Sequence, residues 1–325
     1  MTHDRSGGPV LVVTKELDPA ADLVVAELTS RRVPVMRLDM GDFPETVSLS
    51  AEHAAGPWAG VLTDASRSVR LEEVRAVYYR RPRLPVVSAQ LREPHLTWAR
   101  EQALAGLLGT LYALPVTWVN RPDVDGIASH KPGQLPVAAA HGLRTPRSLI
   151  TTDPQAARTF CRETDGRVIC KPLMGGPLEY PDGRRTGVPT HVVDPDTLDD
   201  SVRLTAHLFQ EWVPKSHEVR LTVVGGDMFA AEIHAGSDAA RVDWRSDYDA
   251  LSYDVCRVPD DVRAGVLGWL EHFRLAFGAF DFAVTPAGHW VMFECNPSGE
   301  WSWIQNRTGL PIAARIADLL AEGRP

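Results

Sequence analysis

The sequence predicts an α/β fold whose first part is a parallel βαβ sheet and whose carboxy-terminal part is α+β. Three observations carry this. The opening segment alternates apolar strand, amphipathic helix and apolar strand. From about residue 118 the chain turns to strands, hairpins and glycine-rich loops. The last pair of strands, AFDFAVT and HWVMFECN, flanks a Pro-Ala-Gly turn. Taken in order, VLVVT at 10–14 is a strand, 20–31 a helix and VPVMRLD at 33–39 a strand, the crossover a parallel pair requires. VRAVYYRRP at 74–82 ends a further strand in basic residues, 91–114 has helical periodicity, and LPVTWVNRP at 114–122 reads as strand then loop. TPRSLIT, GRVICKPL, LFQEWVP and HEVRLTVVGGDMFAAEIHA follow before the last hairpin. The turn after the first strand, KELDP, contains no GxGxxG, which argues against a dinucleotide fold of that kind.

A chain of 325 residues is long for one small domain and predicts two or three subdomains. Its net charge of −8 argues against a general nucleic-acid binder, because such proteins release phosphate counterions with a basic surface. Val10–Val13 is too short an apolar run for a secretory signal, and no segment reaches the length of a membrane span. Cys161, Cys170, Cys256 and Cys295 have no metal-like spacing and read as reduced thiols of a cytoplasmic protein.

Three constellations could carry chemistry. If Ala287 and Gly288 form a two-residue turn, Asp281 lies directly opposite Glu294, and alternation puts Asn296 on the face of Glu294, with Val291, Phe293 and Cys295 on the other. Opposed carboxylates repel unless a cation sits between them, and hard oxygen donors favour Mg²⁺ or Mn²⁺. A solvated strand face in which two acids meet by chance gives the same pattern, and a one-residue slip of register would break the alignment. Lys171 ends an apolar strand that runs into Gly175 and Gly176, and Lys131 begins a helix with Pro132 in its first turn. Both suit phosphate contacts, although each alone also reads as an exposed structural lysine. In HEVRLTVV, alternation sets Glu218, Arg220 and Thr222 on one face, and Arg245 follows in DWRS. Arginine forks suit phosphoryl oxygens, while Glu218 and Arg220 alone also fit a surface ion pair.

The succession Lys131, Lys171 with its glycine loop, FQEWV, HEVR, DWRS, FDF and FECNP resembles the ATP-grasp ligase superfamily. The YYRRP segment and the tail NPSGEWSWIQNRTGLPIAARIADLL look like the graspetide synthetases of actinobacterial type within it. The resemblance implies an ATP-grasp fold with an amino-terminal βαβ pre-grasp domain at 1–117, a central subdomain at 118–209 and a carboxy-terminal, metal-bearing subdomain at 210–325. It also implies ATP and Mg²⁺ or Mn²⁺ as cofactors. Lys131 and Lys171 would touch phosphates, Glu211, Trp212 and Val213 would form a hinge that holds adenine by backbone groups, and Glu218 would bind ribose. Arg220 and Arg245 would face the transferring phosphoryl group, and Asp281, Glu294 and Asn296 would hold the metal. The implied partner is a precursor peptide of leader plus acidic, Thr-rich core, processed by a homodimer without nucleic acid or membrane. Residues 174–190, rich in Gly and Pro, are the expected flap, and Arg80, Arg81, Arg83, Arg184 and Arg185 are candidates for meeting an acidic peptide. Three positions depart from the family pattern: His130 before Lys131, Pro136 in the following helix, and Glu300 where many relatives have Gln. An ATP-grasp ligase acting on a small molecule or a protein C-terminus would carry the same core motifs, and a non-catalytic nucleotide-binding module would have lost some of them.

Overall fold

A computed structural model describes residues 7–164, 167–176 and 178–323. Its first sheet is parallel, in the order Val35–Leu38, Val10–Thr14, Ala76–Arg80, Thr117–Val119. The helix Pro19–Ser30 makes the expected crossover. Asp18 caps it by accepting from the Ala21 amide, Pro19 occupies the first turn, and Ala20, Ala21, Val24 and Leu28 face inward. Helix His95–Tyr112 covers the other side through Leu107 and Leu111. Residues 48–70, unassigned from sequence, form a three-stranded antiparallel sheet of short strands.

Two antiparallel sheets follow. One orders His191–Val192, Val168–Lys171, His207–Glu211 and Ser148–Thr151. The larger orders Leu251–Val255, Asp227–Ala235, His217–Val224, Phe277–Val284 and Trp290–Asn296. Gly225 and Gly226 join two of its strands with φ of 57° and 98°, a pair of left-handed positions that only glycine takes without strain. The expected divisions after residues 117 and 209 fall inside the strands Thr117–Val119 and His207–Glu211.

One face of the large sheet packs Val219, Leu221 and Val223 against Trp269 and Val266 of helix Asp260–Phe273. The other bears Glu218 and Arg220. The last helix, Ile312–Glu322, returns to the beginning of the chain, where Ile312, Ile316 and Leu320 share a core with Val24 and Leu28.

A buried ionic group ties these parts together. Arg80, 4% exposed, reaches Asp18 at 3.0 Å and Glu300 at 2.8 Å. Burial alone would raise the Asp18 carboxyl, but the hydrogen bond and charge of Arg80 outweigh it and hold it below the ordinary value. Asp18→Ala is expected to cost about 3–5 kcal/mol, because it strands Arg80 and removes a helix cap. Urea unfolding at pH 7 checks this. The contribution is present above the unfolded carboxylate value, about pH 3.9, and is lost as pH falls through the lower folded one, so the difference between the two proteins narrows in acid.

Candidate active site

The two antiparallel sheets enclose a cavity of about 730 Å³, a size suited to a small-molecule ligand. Ile169, Trp212, Val213 and Phe293 line an apolar part, and Lys131, Lys171, Arg220, Arg245, Asp281, Glu294 and Asn296 a charged part. Lys171 ends its strand, and its Nζ lies 5.5 Å from the centre of the Phe293 ring. Lys131 is the first residue of helix Lys131–Ala140. Its Nζ donates to the Pro172 carbonyl at 2.7 Å and lies 3.2 Å from Glu294 Oε2.

Asp281 does lie opposite Glu294, but the strands reach that pairing by a different route from the expected one. The turn is one residue longer, closed by the Thr285 amide donating to the His289 carbonyl at 2.9 Å, so Phe282 pairs with Met292. A β-bulge between Asp281 and Phe282 then inserts an extra residue, Phe293, and restores the pairs Asp281–Glu294 and Ala279–Asn296. The bulge also corrects the expected faces. Cys295 packs into the helix-covered core with Met292, whereas Val291 and Phe293 pack with Val213 and Ala283, and Phe293 joins Glu294 at the cavity.

The charges interlock. Arg220 Nη1 donates to Asp281 Oδ1 at 2.7 Å and Arg245 Nη2 to Asp281 Oδ2 at 2.9 Å. Arg220 Nη2 also holds the Glu300 carbonyl at 2.9 Å, while its Nε is buried without a partner among the described residues. Burial would raise the Glu294 carboxyl, yet Lys171, Lys131 and Arg245 hold it down at about 2. Lys171 is lowered to about 8, chiefly by burial, with Glu294 pulling the other way. Burial also raises Glu218, against the hydrogen-bonded Lys215. Asn296 Nδ2 points to Glu294 Oε1 at 3.4 Å. The three oxygen-bearing side chains therefore share one patch, ringed by cations that offset carboxylates otherwise costly to bury together. Hard donors in this arrangement fit Mg²⁺.

Some expected residues fall elsewhere. Trp212 and Val213 line the cavity, and the Glu211 side chain accepts from the Arg147 amide at 3.0 Å, which is compatible with a hinge that acts through backbone groups. Of the five arginines considered for peptide binding, Arg81 alone lines the cavity. Arg80 is buried with Asp18 and Glu300, Arg83 pairs with Asp39 and Asp42, and Arg184 and Arg185 lie beside Asp182 and Glu179. Within the expected flap, Gly175, Gly176, Gly187, Val188 and Thr190 face the cavity, and Pro177 lies outside the described residues.

Other residues of the site gave no sequence signal. Gln134 is buried and donates to the carbonyls of Ala128 and Cys295 while accepting from the Cys295 amide, which fixes the strand carrying Glu294 and Asn296. Asn120 clamps Ala276, Phe277 and Pro297 in the same way. Lys215 sits 5.7 Å from both the Trp212 and the Phe293 ring centres, and Trp244 stacks on Trp303 at 5.0 Å at the cavity wall.

Residues 9–125 match the family model described as the MvdD pre-ATP grasp domain. The fold is similar to a RiPP-associated ATP-grasp ligase from Chryseobacterium gregarium, solved in complex with ADP and a leader and core peptide. That match has 28% identity over 98% of each chain and a TM-score of 0.89. It is also similar to the macrocyclase MdnC from Microcystis aeruginosa MRC, bound with precursor peptide MdnA. Here identity is 26% over 96% of this chain and 98% of that one, with a TM-score of 0.84. Macrocyclase MdnB from the same organism matches at 28% identity over 96% and 99%, with a TM-score of 0.77. No curated protein sequence matches the chain. The fold is thus ATP-grasp, preceded by a pre-grasp region.

Proposed function

We propose that the protein is an ATP-dependent ligase that macrocyclises a ribosomally made precursor peptide by joining Asp or Glu side chains to Thr or Ser as esters, or to Lys as amides. The observation that carries this reading is the opposed Asp281–Glu294 pair, ringed by Lys131, Lys171, Arg220 and Arg245 at the charged end of an otherwise apolar-walled cavity. Likeness to peptide-bound ligases supports the choice of substrate.

In this reading the adenine lies against Ile169, Trp212 and Val213, with Glu211 contributing only backbone, and Glu218 meets the ribose. Lys131 and Lys171 hold the phosphates. A peptide carboxylate attacks the γ-phosphorus, ADP leaves, and an acyl phosphate forms. A hydroxyl or amine of the same peptide then attacks the acyl carbon, loses its proton and expels phosphate. Each link thus consumes one ATP and removes one water from the peptide. Arg220 and Arg245 face the transferring group, so catalysis is positioning plus charge neutralisation, and the protein supplies no covalent nucleophile. Asp281, Glu294 and Asn296 would hold Mg²⁺, or Mn²⁺, which neutralises phosphate charge when bound. Residues 174–190 close over the acyl phosphate and limit its hydrolysis. The division into 1–117, 118–209 and 210–325, a homodimer and a cytoplasmic setting belong to the same reading. Four unpaired cysteines and the absence, among the described helices, of one long and apolar enough to cross a membrane are compatible with that setting.

The test is a mass spectrum of an acidic, Thr-rich peptide encoded beside this gene, after incubation with the protein, ATP and Mg²⁺. Loss of one water mass per link, with fragmentation blocked between linked residues, is expected. An unchanged peptide together with tight ATP binding would replace this reading with a ligase acting on a small molecule or a protein C-terminus.

Lys171 gives a second handle. Its ammonium titrates near 8 in the free protein, and bound phosphates would raise that value by favouring the charged form. Between pH 8 and 9, ATP binding is therefore expected to take up protons, which calorimetry in buffers of different ionisation enthalpy measures. Lys171→Arg, charged throughout, should abolish the uptake; equal uptake in both proteins would remove Lys171 from the phosphate site.

A further inference from the structure

We propose that His217, Glu232 and His234 form a second divalent-cation site, of the zinc type, on the face of the large sheet away from the nucleotide cavity. The strands His217–Val224 and Asp227–Ala235 pair so that Glu218 faces Ile233 and Val219 faces Glu232. One step further along that register, His217 faces His234, and their rings lie 5.1 Å apart. Glu232 precedes His234 by two residues and shares its side of the strand. Its partner Val219 belongs to the helix-covered core, so alternation puts the trio opposite Glu218 and Arg220. One ligand atom from each of the three lies within 4.8 Å of the others. The Glu232 carboxylate offers one oxygen to each ring: Oε2 is 2.9 Å from His234 Nε2 and Oε1 is 3.7 Å from His217 Nε2. Tetrahedral zinc with bonds of about 2.0–2.1 Å spaces its donors about 3.3 Å apart, between these two values.

The proton inventory points the same way. Ser216 Oγ lies 3.0 Å from the Val284 carbonyl, which can only accept, so the single hydroxyl proton is spent there. The 3.0 Å contact between Ser216 Oγ and His217 Nδ1 then suits a ring that donates from Nδ1. With Nδ1 engaged by Ser216, Nε2 is the ring nitrogen that faces the Glu232 carboxylate, the atom a bound cation would share with it. Ser216 also plays the part of the outer hydrogen-bond partner that orients a metal-bound imidazole. Asp254 Oδ2, 3.7 Å from His234 Nε2 and largely exposed, is placed to supply a fourth oxygen or leave that position to water. Two imidazoles and a carboxylate select zinc over Mg²⁺, which the all-oxygen patch at Asp281, Glu294 and Asn296 prefers. The inference is therefore independent of the nucleotide reading.

The experiment uses the full chain, stripped with a chelator and titrated with ZnCl₂ in excess Mg²⁺. One equivalent of zinc per chain and a raised melting temperature are expected. Co²⁺ in its place should give the visible bands of a tetrahedral nitrogen–oxygen site without thiolate charge transfer, which separates this site from one at the half-buried Cys256. His234→Ala and Glu232→Gln should each weaken zinc binding at least about tenfold, with secondary structure and ATP-dependent activity retained. No stoichiometric zinc uptake, a thiolate cobalt spectrum, or equal zinc affinity in the wild type and both variants would overturn the proposal.

Discussion

Glu294→Gln is expected to lower product formation about 10³-fold while leaving the fold and nucleotide binding in place. The substitution keeps the shape of the side chain and removes its charge. In the present arrangement that charge faces Lys131 at 3.2 Å and is further offset by Lys171 and Arg245. Once ATP is bound, its phosphates can satisfy the same cations, so metal-free nucleotide affinity should persist. What cannot be replaced is the second carboxylate opposite Asp281. One carboxylate and two amide oxygens hold a divalent ion far more weakly than two carboxylates and one amide. Turnover measured against Mg²⁺ concentration, beside calorimetric ATP binding, separates the two effects. Undiminished product formation would remove the metal role from Glu294. Parallel loss of ATP binding and turnover would instead assign it to phosphate positioning through the lysines.

The same hairpin shows how far the sequence carries. Asp281 opposite Glu294 was legible because alternation and a turn signal constrain a short hairpin. The pairing nevertheless came from two compensating departures, a longer turn and a bulge at Phe293, which no residue in HWVMFECN announces. The faces of Glu218 and Arg220 were legible for the same reason, since eight regular residues leave one alternation to choose. The Glu211 carboxylate had no assigned partner: its place beside Trp212 and Val213 in LFQEWVP gives no hint that it accepts from the Arg147 amide. Gln134 and Asn120 lay beyond reach for a further reason. Apart from the Ala128 carbonyl, their partners are backbone groups more than 150 residues away, and a buried amide that satisfies distant backbone leaves no local pattern. Arg80 shows the converse error. A run of arginines reads as surface, yet its first member sits beneath Glu300 in the core, where Asp18 and the returning tail neutralise it. Glu300, one of the departures from the pattern the sequence resembles, thereby acquires a physical role: it is a counter-charge for a buried guanidinium and accepts from the Ser302 amide and hydroxyl.

Arg245→Lys is expected to cost about 10²-fold in turnover with little change in stability, whereas Arg220→Lys should lower both. The two arginines grip the same carboxylate, but their settings differ. Arg220 is 5% exposed in the middle of the large sheet, bridges Asp281 to the Glu300 carbonyl, and has no room to be replaced by a shorter cation without leaving Asp281 half-satisfied. Arg245 is 43% exposed, comes from the short turn Trp244–Ser246, and rests on the Trp244 ring at 4.3 Å. Lysine at 245 keeps the charge but loses the planar fork that can hold Asp281 with one nitrogen while another meets a phosphoryl oxygen. If Arg245 stabilises the transferring group, the loss falls on kcat and the ATP requirement for half-maximal rate barely moves. If it only shapes the wall near Trp244 and Trp303, kcat survives and the peptide KM rises instead. Measuring kcat and both KM values for Arg245→Lys, with thermal melts of both variants alongside, decides between a residue that acts on the transition state and one that seats the peptide.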